Sequence, residues 1–160
     1  MDPRQRRMVG HGAIVTLIAL LAGFGLLIRL VGGFELFPGY ILEFRIPGDS
    51  EAWARAHAGG LLNGLLVFAG ALLIHALRLP ERTAFHLAWM FVGTGYANTV
   101  FYWGGLLAPT RALTFGDNRF GETGIAGVIG LVPAFVFAFV AMAAMLILIR
   151  HAFRGDGGDA

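Results

Sequence analysis

The chain contains no cysteine and no lysine. The first absence removes disulfides, thiolate metal ligands, iron–sulfur clusters and cysteine nucleophiles together, and leaves the redox compartment open. The second makes all twelve basic residues arginine. Charge itself is scarce: 14% of the 160 residues are charged and 57% are hydrophobic, with a mean hydropathy of +0.71. So little charge cannot cover a soluble domain, and the composition is that of an integral membrane protein. The arginines stand almost wholly at the ends of apolar runs, so the pI of 9.7 reflects membrane-flanking charge and gives no sign of a nucleic-acid surface. No Asp, Glu or Lys lies at the centre of an apolar run. That excludes a proton relay, a Schiff-base lysine and a carboxylate nucleophile at membrane depth, and a bound metal would have to supply any electrophile.

Four apolar runs, near residues 11–31, 53–77, 83–107 and 124–150, each reach the roughly 20 helical residues that cross about 30 Å of hydrocarbon. The expected fold is an all-α integral membrane protein, one four-transmembrane-helix bundle over residues 1–154 with a small, polar, disordered tail over 155–160. The first run is too long for a secretory signal and no small-residue cleavage site follows it at once, so a retained span is expected. Arg4, Arg6 and Arg7 precede the first run, Arg78 and Arg82 sit between the second and third, and Arg150 and Arg154 follow the fourth. By the positive-inside rule both termini are cytoplasmic. The first outward connection, residues 32–51, is rich in apolar side chains such as Phe34, Phe37 and Tyr40, and is expected to lie in the interface or to fold over the helix ends as a lid. The second, residues 108–123, reads as a turn-rich cap. Pro133 is expected to kink the fourth span, and Phe135, Phe137 and Phe139 to face lipid.

Polar residues within the spans are the place to look for chemistry. His57, Gly60, Leu61 and Gly64 fall at i, i+3, i+4 and i+7, one stripe of the second helix. Two readings stand side by side. A flat macrocycle ligated by His57 would lie against a glycine-smoothed face, histidine being a common axial ligand of haem iron. Ala56, Gly60 and Gly64 are first of all the small-xxx-small spacing by which membrane helices pack.

On the third helix Gly95, Asn98 and Tyr102 form a second stripe. The two helices run in opposite directions, so depths can be matched. His57 and Tyr102 both lie some 6 to 8 Å below the outer surface, and Asn63 and Asn98 both near about 14 Å, at about 1.5 Å per residue. A histidine, a phenol and two amides are therefore expected to meet in one volume, with hydrogen-bonded packing as the plainer reading of the two amides. His11, His75 and His86, near cytoplasmic ends, read as interfacial. His57 and His75 share a face five turns apart, which keeps a bis-histidine electron-transfer cytochrome as an alternative, and a non-catalytic membrane scaffold as a third.

Several segments together resemble the styrene oxide isomerase family. They are Leu30-Val31-Gly32-Gly33-Phe34-Glu35, Pro38-Gly39-Tyr40-Ile41, Trp53-Ala54-Arg55-Ala56-His57, Leu62-Asn63-Gly64, Ala97-Asn98 and Leu113-Thr114-Phe115-Gly116, with Gly10-His11-Gly12, Asn118 and Phe120-Gly121. The resemblance implies a small bacterial inner-membrane enzyme that binds haem b and converts aryl epoxides to aldehydes without net redox change. It implies His57 as the axial ligand to iron, and Asn63 and Tyr102 as the residues that handle substrate; Gly60 and Gly64, on the His57 stripe, and Asn98 are expected beside that cofactor. A homo-oligomer, a trimer first, is implied as well, in keeping with the glycine stripes on the second and third spans and Gly124, Gly127 and Gly130 on the fourth. Gly60 and Tyr96 depart from the family pattern, which has proline and tryptophan at those places, and both positions bear on the shape of the pocket.

Overall fold

The computed structural model describes residues 2–153, and the expected tail lies outside them. Four helices carry the fold: α1 Pro3–Val31, α2 Ser50–Ala76, α3 Glu81–Leu107 and α4 Ile125–Phe153. α1 starts eight residues before the apolar run because its start is written in polar residues. Asp2 accepts from the Gln5 amide, Gln5 reaches back to the Asp2 amide, and Pro3 takes the first helical position. It ends where Gly32 turns left-handed at φ 82°. Asp49 caps α2 by accepting from the Ala52 amide at 2.6 Å.

α1, α2 and α4 are long and apolar enough to cross a membrane. α3 matches α2 at 27 residues, but Thr94, Tyr96, Asn98, Thr99 and Tyr102 lower its hydropathy. α1 and α2 pack along their length, α2 and α3 likewise, and α1 also meets α3. α4 packs on α3 and on no other helix among the described residues. The result is a three-helix unit with a fourth helix laid against one side. One cluster of buried residues, including Met8, Val67, Ile74, Leu87, Phe91 and Ala144, joins the end that holds the amino terminus. A second, with Ala22, Trp53, Ala56 and Leu106, closes the other end.

Two details go beyond the sequence reading. Residues 32–51, expected as an interfacial or lid segment, carry regular structure: β1 Gly33–Phe37 and β2 Tyr40–Glu43 make an antiparallel hairpin, so the fold is helical with one small sheet. Gly39 at φ 85° turns the chain, and its amide donates to the Glu35 carboxylate at 2.9 Å. A bulge between Glu35 and Phe37 brings Phe37 opposite Tyr40, and the two rings stack at 4.8 Å. On α4, Phe135 and Phe139 are exposed as expected, but Phe137 is not a free lipid-facing ring. It lies over Gly93 of α3 and 5.4 Å from Trp89. α4 itself runs unbroken through Pro133.

Candidate functional site

The His57 ring lies over Gly23 and Ala19 of α1. Its Nδ1 is 2.9 Å from the Ala19 carbonyl oxygen. A carbonyl only accepts, so Nδ1 carries the proton and Nε2 keeps its lone pair. A metal-ligating histidine is ordinarily held this way, with one ring nitrogen fixed by a backbone carbonyl and the other directed at the metal. The half-buried His57 thus keeps one ring nitrogen with a lone pair that a metal could take. Elsewhere among the described residues no three His, Asp or Glu side chains gather as a bare metal ion would need. A cofactor that asks the protein for one imidazole fits the donor set.

The glycine stripe below His57 faces the same way but is not open. A side chain at Gly60 would strike Ala19, and one at Gly64 would strike Thr16 and come 3.2 Å from the Gly12 carbonyl oxygen. Both positions therefore let α1 approach α2 closely, as small-xxx-small packing does. This corrects the expectation that Gly60 and Gly64 present a flat face to a macrocycle, because α1 occupies that space. Gly127 and Gly130 are likewise spent inside the chain, against Thr110 and Ala108, and against Gly104 of α3.

The polar residues form a second group on another side of α2. Asn98 Nδ2 donates to Asn63 Oδ1 at 2.8 Å, and Asn63 Nδ2 donates to the Gly59 carbonyl oxygen at 2.7 Å. The phenol of Tyr102 lies across Gly59, where a side chain would collide with it. The matched depths read from the sequence thus bring Asn63, Asn98 and Tyr102 together. They do not bring His57 to them. At about 100° per residue, Gly59 and Asn63 stand roughly 200° and 240° around α2 from His57, one side toward α1 and the other toward α3. One chain therefore offers two half-sites back to back.

Tyr102 also lines a hollow of about 240 Å³ where the start of α2 meets the end of α3, with Arg55, Gly105, Leu106 and Arg111. Glu51 holds its mouth through Arg55 and Arg111, each at 2.9 Å. That clamp ties residues 108–123 to the start of α2. The Glu51–Arg55 half is legible as an i, i+4 pair; the Arg111 half depends on a long-range fold-back and left no local signal. His11, expected at the interface, instead meets the Tyr96 hydroxyl at 2.9 Å across α1 and α3. His86 turns to its own helix at Arg82, and His75 lies about 27 Å along α2 from His57, eighteen residues at about 1.5 Å each. Within one chain none of these pairs with His57.

A family model described as styrene oxide isomerase matches residues 4–153. A styrene-oxide isomerase of Pseudomonas fluorescens is 42% identical over 153 residues, covering 96% of this chain and 90% of that protein.

Proposed function

This chain belongs to the styrene oxide isomerase family, and from that membership we propose that it isomerises styrene oxide and related aryl epoxides to aldehydes with haem b as cofactor. The observation that carries the cofactor is the His57 ring, pinned through Nδ1 to the Ala19 carbonyl oxygen so that Nε2 remains a ligand. When bound, ferric haem supplies a Lewis acid for the epoxide oxygen. The benzylic C–O bond breaks, a hydride moves to the benzylic carbon from the neighbouring carbon that keeps the oxygen, and the carbonyl forms on that oxygen-bearing carbon. Atoms and electrons balance with no external redox partner.

The chain's own residues orient and shield. The Tyr102 hydroxyl takes no part in the bonds that join Asn63 to Asn98 and Gly59, so it is free to donate to the epoxide oxygen as charge develops there. Asn63 Nδ2 has a second N–H beyond the one given to Gly59, and Asn98 fixes its orientation. A site closed to bulk water would keep the cation from being trapped as a diol.

The two half-sites point to assembly. His57 faces away from Asn63 and Tyr102 in one chain, so a complete site needs the His57 side of one copy against the Tyr102 side of another. A homo-oligomer, with a trimer as first choice and haem near the subunit contact, satisfies that need, whereas the glycine faces once taken to be spare do not argue for it. The setting is the bacterial inner membrane, with α3 as a fourth span beside α2 and both termini in the cytoplasm.

The purified protein should turn styrene oxide into phenylacetaldehyde without added electron carrier, and the epoxide should shift its Soret band. Protein that carries no haem yet turns over at full rate would remove the cofactor, and a low-spin spectrum indifferent to epoxide would favour electron transfer.

A further inference from the structure

We propose that the groove between the amino-terminal ends of α1 and α3 holds an anionic phospholipid of the cytoplasmic leaflet, its phosphate between Arg7 and Arg78 and its chain along α3. The leaflet rests on the orientation given above; the binding does not.

The groove measures about 1240 Å³ and mixes two surfaces. Its apolar wall carries Phe85, Trp89 and Val92 at i, i+4 and i+7, one stripe of α3 running from the helix start toward membrane depth. Phe85 and Trp89 are 56% and 60% exposed. The rim carries Arg4, Arg7 and Arg78 against Asp2 and Glu81, and both acids are already engaged. Asp2 caps α1 by accepting from the Gln5 amide at 2.8 Å. Glu81 pairs with Arg4 at 3.3 Å, and the Arg4 guanidinium lies 5.5 Å from the centre of the Phe85 ring. Arg7 and Arg78 are left without a salt bridge among the described residues. Two uncompensated guanidiniums above an aromatic stripe complement a phosphate joined to an acyl chain, and basic pockets between helices on the cytoplasmic side are where such headgroups bind.

Arg78 sits on that rim in an unusual backbone conformation. It follows the last turn of α2 at φ 46°, a left-handed position that glycine fills with least strain. A bulky cation is held there in an unfavourable backbone conformation, with its guanidinium on the groove rim.

The test uses the full chain in mild detergent, where membrane orientation plays no part, with lipid adducts read by native mass spectrometry and melting by tryptophan fluorescence. Phosphatidylglycerol should form adducts and raise the melting temperature; phosphatidylcholine and inorganic phosphate should do neither. Arg7→Gln and Arg78→Gly should each weaken phosphatidylglycerol binding about five-fold, and Arg29→Gln, at the opposite end of α1, should not. Arg78→Gly also relaxes its backbone, so a loss of lipid from a protein that melts no lower is not a folding defect. Equal binding of phosphatidylcholine, an equal effect of inorganic phosphate, or undiminished binding in both variants would overturn the proposal. So would a loss of oligomer in the variants with lipid adducts unchanged, which would make the groove a contact between copies.

Discussion

The side of α2 that faces α1 and the side that faces α3 are both lined by small and polar residues, yet they are packed differently. Toward α1, Gly60 and Gly64 bring the backbones together and leave one imidazole, His57, hydrogen-bonded to a carbonyl. Toward α3, Gly59 makes room for an aromatic ring and Asn63 joins Asn98. Glycine in a membrane helix thus serves close helix approach on one side and side-chain accommodation on the other, and sequence spacing does not distinguish the two. The contrast also separates the residue proposed to hold the cofactor from those proposed to handle substrate.

Substitutions on the two sides sharpen that contrast. His57→Ala should abolish haem binding and activity together, while His11→Ala, His75→Ala and His86→Ala keep the Soret band; a normal spectrum in the His57 variant would detach the cofactor from the α1 side. Tyr102→Phe should keep the pigment and lower turnover on the order of 10²-fold, the cost of losing one donor to a developing oxyanion, and equal rates would leave the ring as packing only. Gly64→Leu should destabilise the protein by about 1–3 kcal/mol, seen as a lower melting temperature, because Thr16 and the Gly12 carbonyl must move. Gly124→Ala, with open space beside it, should be near silent. Asn98→Ala should cost only about 0.6 kcal/mol of stability, the average for a hydrogen bond between membrane helices, with a modest loss of turnover as Asn63 loses its anchor.

Much of this was legible in the residues. Apolar run length marked four helices, and counting residues from opposite ends of two antiparallel helices put Asn63 level with Asn98, which the 2.8 Å bond bears out. Depth is a one-dimensional quantity that helix rise delivers. Rotation is not: placing His57 and Tyr102 in one volume ignored the roughly 200° between His57 and Gly59 around α2, and which stripe meets which neighbour depends on tertiary packing. The hairpin was missed because its apolar side chains were weighed as membrane affinity, although Pro38-Gly39 between two short apolar and aromatic runs carried a turn signal. The Asp2–Gln5 capping box was equally present and would have started α1 at Pro3.

The central claim is that a working site needs the α1 side of one copy and the α3 side of another. It is tested most directly by co-expressing two impaired chains, His57→Ala and Tyr102→Phe, and assaying the mixed oligomers. If the half-sites meet between copies, a contact between the intact His57 side of the second chain and the intact Tyr102 side of the first is whole, and activity should rise clearly above that of either variant alone. Mixed oligomers no more active than the two variants added together would place both half-sites within one chain and contradict the account.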